Sequence, residues 1–96
     1  MTGKLEVIHD KLEKKFYCVI GNTESKVEYD FVKENNNIIE IFHTFVPDEL
    51  RGQGIAKEIY LKIIEYLEEN HLKVRPTCSY ALKIFSSEKY EKYLEE

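Results

Sequence analysis

A change of hydrophobic period across two glycines constrains the fold of this chain more than any other feature of its sequence. The segment from Ile38 to Val46, ahead of Gly52, is rich in β-branched and aromatic residues, which is typical of a strand. Beyond Gly54, apolar residues recur at four-residue steps, and this period predicts one face of an α-helix. The members of that stripe are Ile55, Ile59, Ile63 and Leu67. A strand therefore runs through a glycine-interrupted turn directly into an amphipathic helix.

Three shorter extended segments precede this strand-turn-helix unit, and polar links separate them. The segments are Leu5 to Ile8, Phe16 to Ile20 and Val27 to Val32, and the links are Asp10 to Lys15, Gly21 to Ser25 and Glu34 to Asn37. Short links that are rich in turn-forming residues predict an antiparallel meander. The fourth segment carries apolar residues at both parities, so we expect it to be buried on both faces and central in the sheet.

The rest of the chain predicts a parallel fifth strand and two C-terminal helices. Asn70 is expected to stop the first helix in a left-handed conformation. A strand from Leu72 should end at Arg75, before Pro76, and a right-handed crossover would lay it parallel to the fourth strand. Helices are expected from about Cys78 to Phe85 and from about Glu88 to Leu94. The predicted fold class is α+β, with residues 1–96 in a single domain.

Charge and composition exclude several classes of function. The 14 Lys and Arg residues against 18 Asp and Glu give a net charge of −4, the wrong sign for a protein that binds the nucleic-acid backbone. The sequence has no apolar run of bilayer length and no apolar signal-peptide core after Met1, so we expect a cytoplasmic protein without a membrane partner. Neither the cysteines, Cys18 and Cys78, nor the histidines, His9, His43 and His71, have metal-ligand spacing. We therefore expect no metal and no disulfide.

The glycine turn also has the layout of an anion site. Gly52 and Gly54 allow backbone angles that other residues avoid, and neither carries a side chain that would obstruct a ligand. The first turn of the following helix presents N–H groups without intrahelical partners. Arg51 adds a positive charge able to pair with phosphate oxygens. The turn is therefore predicted to bind a phosphate group.

With these elements in order, the chain resembles the GNAT superfamily of N-acetyltransferases. The run from Val46 to Ala56 is similar to its acetyl-coenzyme A pyrophosphate motif. Nearly the whole chain also resembles a compact, single-domain YjdJ-type subfamily, through His43-Thr44-x-Val46-Pro47, the run Arg51-Gly-x-Gly-Ile-Ala-Lys57 and Cys78-Ser79-Tyr80. The resemblance implies a minimal GNAT fold, with a splayed cleft between the fourth and fifth strands and acetyl-coenzyme A as co-substrate.

The resemblance also assigns residues to the coenzyme. Phe45 and Val46 would contact the pantetheine arm, and Tyr80 would either donate a proton or lie along the coenzyme. The pyrophosphate would be held by Arg51, Gly52, Gln53, Gly54, Ile55 and Ala56, and the outer phosphates by Lys57 and Lys83. Two positions depart from the family pattern. Glu49 stands where Gln or Arg usually opens the motif, and Phe85 stands where the family often has a tyrosine that protonates the departing thiolate.

Two side chains are candidates for catalysis. Cys78 is expected at a helix N-terminus beside the cleft, where the helix dipole would favour the thiolate. It would either protonate the departing coenzyme A thiolate or carry the acetyl group itself; the structural alternative is a small residue that fills the helix-strand joint. His43, on the fourth strand, would take the proton from an incoming amine, or it is a hydrogen-bonded structural histidine. Cys18 is expected in the core, and His9 and His71 on the surface or in turns.

These features predict an acetyl-coenzyme A-dependent N-acetyltransferase that acts on an amine of unknown identity, in a small molecule or a protein. The alternative is a non-catalytic acetyl-coenzyme A sensor or adaptor. Only Asp10 to Lys14 separates the first two strands, which leaves no room for the helices that often shape the family's acceptor pocket. The acceptor site should therefore be open and shallow, or borrowed from a partner, in a monomer or weak homodimer.

Overall fold

The computed structural model describes residues 5–95, which form five strands and two α-helices. The strands are β1 (Ile8–Asp10), β2 (Lys15–Ile20), β3 (Thr23–Val32), β4 (Asn35–Phe45) and β5 (Lys73–Pro76). The helices are α1 (Ile55–Asn70) and α2 (Ser79–Phe85), and single 3₁₀ turns cover Asp48–Leu50 and Glu91–Tyr93. This order of elements is the predicted α+β arrangement.

The five strands form one mixed sheet in the order β1-β2-β3-β4-β5. The first four are antiparallel neighbours, and β5 pairs with β4 in parallel from Ile38 opposite Lys73 to Ile41 opposite Pro76. The meander and the helical crossover to a parallel fifth strand are thus confirmed. The crossover places β5 beside β4, and the start of α1 follows the far end of β4.

One face of the sheet packs against both helices and forms the core. The predicted stripe of α1 is buried in full, from Ile55 to Leu67, against sheet residues such as Val27 and Ile39. Phe85 reaches the same core from α2 and lies against the ring of Tyr60, with centroids 6.2 Å apart. A helix that repeats apolar residues at this spacing is stabilised because packing on the sheet removes the apolar stripe from contact with water.

The prediction that β4 is buried on both faces is wrong, because a β-bulge reverses its alternation. Glu28 pairs with His43 and Tyr29 with Ile41, so Phe42 is an extra residue on β4. Beyond it, Thr44 lies opposite the buried Val27 and faces the core, while His43 and Phe45 are exposed on the other face. Apolar residues of both parities therefore do not mark a strand covered on both faces, since Phe42 and Phe45 are both exposed.

Several element boundaries differ from the prediction for local reasons. β1 covers residues 8–10 instead of 5–8. The second and third predicted polar links are shorter than expected and form turns at 21–22 and 33–34. Gly21 adopts a φ of 62°, which closes the first turn tightly enough for Thr23 to enter β3. The asparagines from Asn35 onward belong to β4, which pairs with β3 from Asn35 opposite Val32, and they are exposed at that end of the sheet.

The C-terminal ends of the helices also differ. Asn70 remains helical and donates its side-chain amide to the carbonyl of Tyr66, and His71 takes the left-handed stop with a φ of 56°. The expected last helix is only a 3₁₀ turn, because the chain next enters a short bridge between Leu94 and Val74. The C-terminal segment therefore pairs with β5.

His9 is not the surface residue that was expected. Its ring stacks on Phe16 with centroids 3.9 Å apart, and its Nε2 lies 2.6 Å from the hydroxyl of Tyr29. Burial lowers the pKa of His9, and Lys11 lowers it further, while Asp10 opposes the change. An aromatic residue at this position in β1 thus closes the β1–β2 edge of the core.

Folding should therefore weaken as His9 becomes protonated. The unfolded chain binds this proton more tightly than the folded one, so the loss occurs as the pH falls through the ordinary histidine range. Wild type should lose more free energy of unfolding than His9→Phe between about pH 7.5 and pH 5.5, measured by urea denaturation. His71→Asn, which replaces an exposed histidine, is the control, and equal losses in wild type and His9→Phe would contradict the assignment.

Candidate functional site

A gap opens where β4 outruns β5. The pairing of these strands ends at Ile41 and Pro76, whereas β4 continues to Phe45. The N–H groups of Thr77 and Cys78 both donate to the carbonyl of Ile41, at 2.9 and 3.3 Å, and this turns the chain away from β4 and into α2. The edge of β4 beyond Ile41 therefore faces a cleft.

The cleft holds a cavity of about 640 Å³ between the end of β4, the glycine loop, α1 and α2. Its walls come from three parts of the chain that are distant in sequence. They are Thr44 and Val46, then Arg51, Gly52, Gly54, Ile55, Ala56 and Lys57, then Ser79 and Tyr80. Both charged side chains of this wall, Arg51 and Lys57, are cationic, so the cavity suits an anionic ligand in a protein that is acidic as a whole.

The two glycines of the loop are required by conformation. Gly52 has a φ of 83° and Gly54 a φ of 78°, in the left-handed region that other residues enter at a cost. A Cβ atom added at either position would meet nothing within 4 Å, so space is not the reason for glycine. Gly54 is the N-cap of α1, and the first helical bond runs from Glu58 N–H to Gly54 C=O at 3.1 Å. The preceding amides of α1 thus stand at the cavity wall, as at other anion sites.

Arg51 is held at the mouth of the cavity by its own loop. Its Nε donates to the carbonyl of Val46 at 3.2 Å and lies 3.4 Å from the Asp48 carboxylate. Asp48, and not Glu49, is thus the carboxylate that accompanies this arginine. Glu49 is exposed and lies outside the cavity wall, so its charge does not line the cavity.

Three polar side chains meet at the inner side of the cleft. Cys78 is the N-cap of α2, and its Sγ accepts a hydrogen bond from the N–H of Ala81 at 3.4 Å. The same sulfur lies 3.3 Å from Thr44 Oγ1 and 4.0 Å from the hydroxyl of Tyr60. Thr44 and Tyr60 are in turn 2.7 Å apart. Cys78 is therefore the end point of a small hydrogen-bonded cluster and does more than fill a joint.

Tyr60 is the buried member of this cluster. It is only 1% exposed, and its ring stacks on Tyr80 with centroids 5.5 Å apart. Burial raises the pKa of Tyr60 far above the ordinary tyrosine value, so its hydroxyl stays protonated at physiological pH. Tyr80 covers it from the cavity side, since Tyr80 itself lies on the wall.

The structure brings most of the predicted coenzyme residues to this wall. They are Val46, Arg51, Gly52, Gly54, Ile55, Ala56, Lys57 and Tyr80. Phe45, Gln53 and Lys83 do not line it; Phe45 faces the open side of the sheet, and Gln53 donates to the carbonyl of Glu49 at 3.3 Å. His43 and Cys78 are not brought together, because the bulge turns His43 to the face opposite Thr44.

Sequence reasoning missed Thr44, Tyr60 and Ser79. Thr44 stands in the His43-Thr44-x-Val46-Pro47 motif, but the sequence indicates no role for it because the bulge that turns it inward has no clear sequence signal. Tyr60 directly follows Ile59 of the predicted apolar stripe, and the helical period alone indicates no role for it beyond packing. A phenol at a buried helical position needs a hydrogen-bond partner, and this requirement could have drawn attention to it. Cys18 lies in the core, 1% exposed, as expected.

Within residues 5–95, no group of three or more His, Cys, Asp or Glu side chains is arranged to hold a metal ion. In the same range neither helix combines the length and the apolar character that crossing a membrane requires.

Comparison with known proteins agrees with the geometry of this cleft. Residues 15–95 match the model of the GCN5-related N-acetyl-transferase family. The chain belongs to this family. The match spans β2 to the C-terminal segment and includes the glycine loop and the start of α2. The family assignment fits the order of elements around the cavity.

Individual relatives match nearly the whole of this chain. Protein NATD1 from mouse is 29% identical over 93 residues, which is 97% of this chain and 84% of that protein. Human Protein NATD1 is 29% identical over 91 residues, or 95% of this chain and 80% of that protein. The solution NMR structure of a GCN5-like protein from Staphylococcus aureus superposes with a TM-score of 0.75 at 34% identity, covering 98% and 91% of the two chains. This chain and the Staphylococcus aureus protein therefore share their fold over nearly the whole of both chains.

Proposed function

We propose that the cleft binds acetyl-coenzyme A and that the protein transfers the acetyl group to an amine. The observation that carries this proposal is the gap at the end of β4, which opens directly onto the glycine loop and the N-terminus of α1. A coenzyme is long and carries its phosphates at one end. It suits a site with an exposed strand edge at one end and an anion cradle at the other.

The residues present fit the parts of this co-substrate. The amides from Gly52 to Ala56 and the charges of Arg51 and Lys57 would hold the phosphates. The edge of β4 beyond Ile41, including Val46, would receive the pantetheine amides. The thioester would then lie near Thr44 and Cys78, at the inner end of the cavity.

Cys78 and His43 would act from opposite faces of β4. Cys78 adjoins the coenzyme side, where it would serve as the acetyl carrier or as the proton donor to the departing thiolate. His43, on the open face, would take a proton from an amine that approaches from that side. The open face carries no helix among residues 5–95, which favours an acceptor that is not enclosed, such as an exposed amine of a larger molecule.

Acetyl-coenzyme A should stabilise the protein, and Arg51→Ala should weaken its binding. At a hundredfold excess over Kd the ligand should raise Tm by roughly 10 °C. Loss of the guanidinium should raise Kd by about tenfold or more, because a charge-assisted contact to phosphate is lost. Thermal shift and calorimetry measure both effects. Lys33→Ala, in the β3–β4 turn far from the cleft, is the matched control. A wild-type Tm that does not respond to the coenzyme would remove the basis of the proposal.

A second candidate is an acetyl-coenzyme A-binding module without turnover. It is favoured by Phe85, which is fully buried in the core where the family often has its acid tyrosine. Release of free coenzyme A thiol across a panel of amines separates the two functions. Binding without thiol release for any amine would favour the module, whereas release that depends on an amine would favour the transferase.

A further inference from the structure

We infer that Tyr60 and Thr44 form a directional hydrogen-bond relay that holds the Cys78 sulfur as an acceptor and so makes Cys78 the acetyl-carrying nucleophile. The inference rests on the proposed acetyl transfer and deepens it, because it chooses between the carrier and acid roles of Cys78. In this relay Tyr60 and Thr44 are positioning residues.

The direction of the relay follows from the burial of Tyr60. Its hydroxyl has Thr44 Oγ1 at 2.7 Å and Cys78 Sγ at 4.0 Å as partners among the described residues. A buried phenol needs an acceptor, and the near one is Thr44. The phenol hydrogen of Tyr60 is therefore directed to Thr44 Oγ1, the nearer of its two possible acceptors. The threonine hydroxyl accepts from Tyr60 and retains its own hydrogen to donate.

The sulfur of Cys78 receives that hydrogen. Thr44 Oγ1 is 3.3 Å from Sγ, and the Ala81 N–H already donates to Sγ from the other side at 3.4 Å. Two donors that converge on one sulfur hold it as an acceptor, and their bonds would strengthen as negative charge develops on the sulfur during attack. The opposite chain, from S–H through Thr44 to Tyr60, would leave the buried Tyr60 hydrogen only the Cys78 sulfur, 4.0 Å away, as an acceptor among the described residues.

The chemistry that follows balances without another reactant. The Cys78 thiolate attacks the acetyl carbonyl, the new C–S bond to Cys78 forms, and the C–S bond to coenzyme A breaks. The proton that Cys78 gave up ends on the released coenzyme A. The amine then attacks acetyl-Cys78 and a C–N bond forms. The C–S bond to Cys78 breaks, its thiolate leaves to its two donors, and the proton that the amine loses passes to His43.

The relay is tested by alkylation of Cys78 without any coenzyme. Iodoacetamide reacts with thiolates, so the ratio of its rate at about pH 7 to its rate at about pH 10 reports the thiolate fraction at neutral pH, independent of access. Tyr60→Phe and Thr44→Val should each lower this ratio at least about fivefold, because the sulfur loses a donor or its support. Thr44→Ser, which keeps the hydroxyl, should stay within about twofold of wild type. Peptide mass mapping measures the reaction at Cys78 apart from Cys18.

Tyr66→Phe, which removes a hydroxyl further along α1, is the matched control and should leave the ratio unchanged. An unchanged ratio in both Tyr60→Phe and Thr44→Val overturns the relay. A raised ratio also overturns it, because it means that Cys78 donates to Thr44, as an acid would. Tyr60→Phe keeps the buried ring, so the test survives if Thr44→Val does not fold. A lowered ratio without coenzyme binding would keep the relay and refute the proposed function instead.

Discussion

Replacing Cys78 by alanine should abolish acetyl transfer and leave acetyl-coenzyme A binding nearly intact. Loss of a covalent nucleophile typically costs at least about a thousandfold in turnover, since no other group at the site can form the intermediate. The coenzyme wall does not include the Cys78 side chain, so the Tm shift with acetyl-coenzyme A should persist. Thiol release with a responsive amine measures the first effect and thermal shift the second.

Intact mass adds a direct measurement. Wild type incubated with acetyl-coenzyme A without an amine should gain one acetyl group, and Cys78→Ala should gain none. Because alanine also removes the N-cap of α2, at a cost of about 1 kcal/mol, Cys78→Ser serves as the control that retains a capping oxygen. Turnover that is equal in wild type and Cys78→Ala would exclude the cysteine from the mechanism.

Phe85→Ala should destabilise the domain more than any substitution in the cleft. Phe85 is 0% exposed and packs against Tyr60, so its loss leaves a cavity between α2, α1 and the sheet. Truncation of a buried phenylalanine costs about 3–5 kcal/mol, a large share of the 5–15 kcal/mol typical of a domain. Urea denaturation should show a strongly lowered midpoint or no folded baseline.

Leu82→Ala on the same helix is the matched control. Leu82 is 52% exposed, so its truncation should change the free energy of unfolding by no more than about 0.5 kcal/mol. Equal effects of the two substitutions would mean that α2 is not anchored by Phe85. Phe85 also packs against the ring of Tyr60, whose hydroxyl lies 4.0 Å from the Cys78 sulfur. Loss of the Phe85 ring should therefore disturb the proposed relay as well as the core.

The parts of the fold governed by periodicity could be predicted from the sequence. The four-residue stripe from Ile55 fixed the course of α1, and the short polar links fixed the meander. The crossover rule then required a parallel strand ending near Arg75. The cleft between the fourth and fifth strands is implied by the resemblance to the GNAT superfamily, and the order of the elements places the glycine turn directly after the fourth strand.

Features that depend on contacts between distant residues could not be predicted. The bulge at Phe42 arises from the pairing of β4 with β3, and one extra residue exchanged the faces assigned to His43 and Thr44. The contact between Tyr60 and Thr44 joins a helix and a strand whose relative rotation no local pattern encodes. The sequence therefore predicts Cys78 beside the cleft but not the hydrogen-bonded cluster that Cys78 forms with Thr44 and Tyr60.

The bulge at Phe42 has a consequence for how this small domain can change its chemistry. His43 and Thr44 are adjacent in sequence but lie on opposite faces of the strand, Thr44 towards the cleft and His43 towards solvent. If this stretch kept its length but lost the bulge, His43 would turn to the core side and Thr44 to the solvent side, whereas deletion of Phe42 would leave both on their present faces. The side chains that β4 offers on its two faces are thus set by one backbone irregularity as much as by the identity of any residue on the strand.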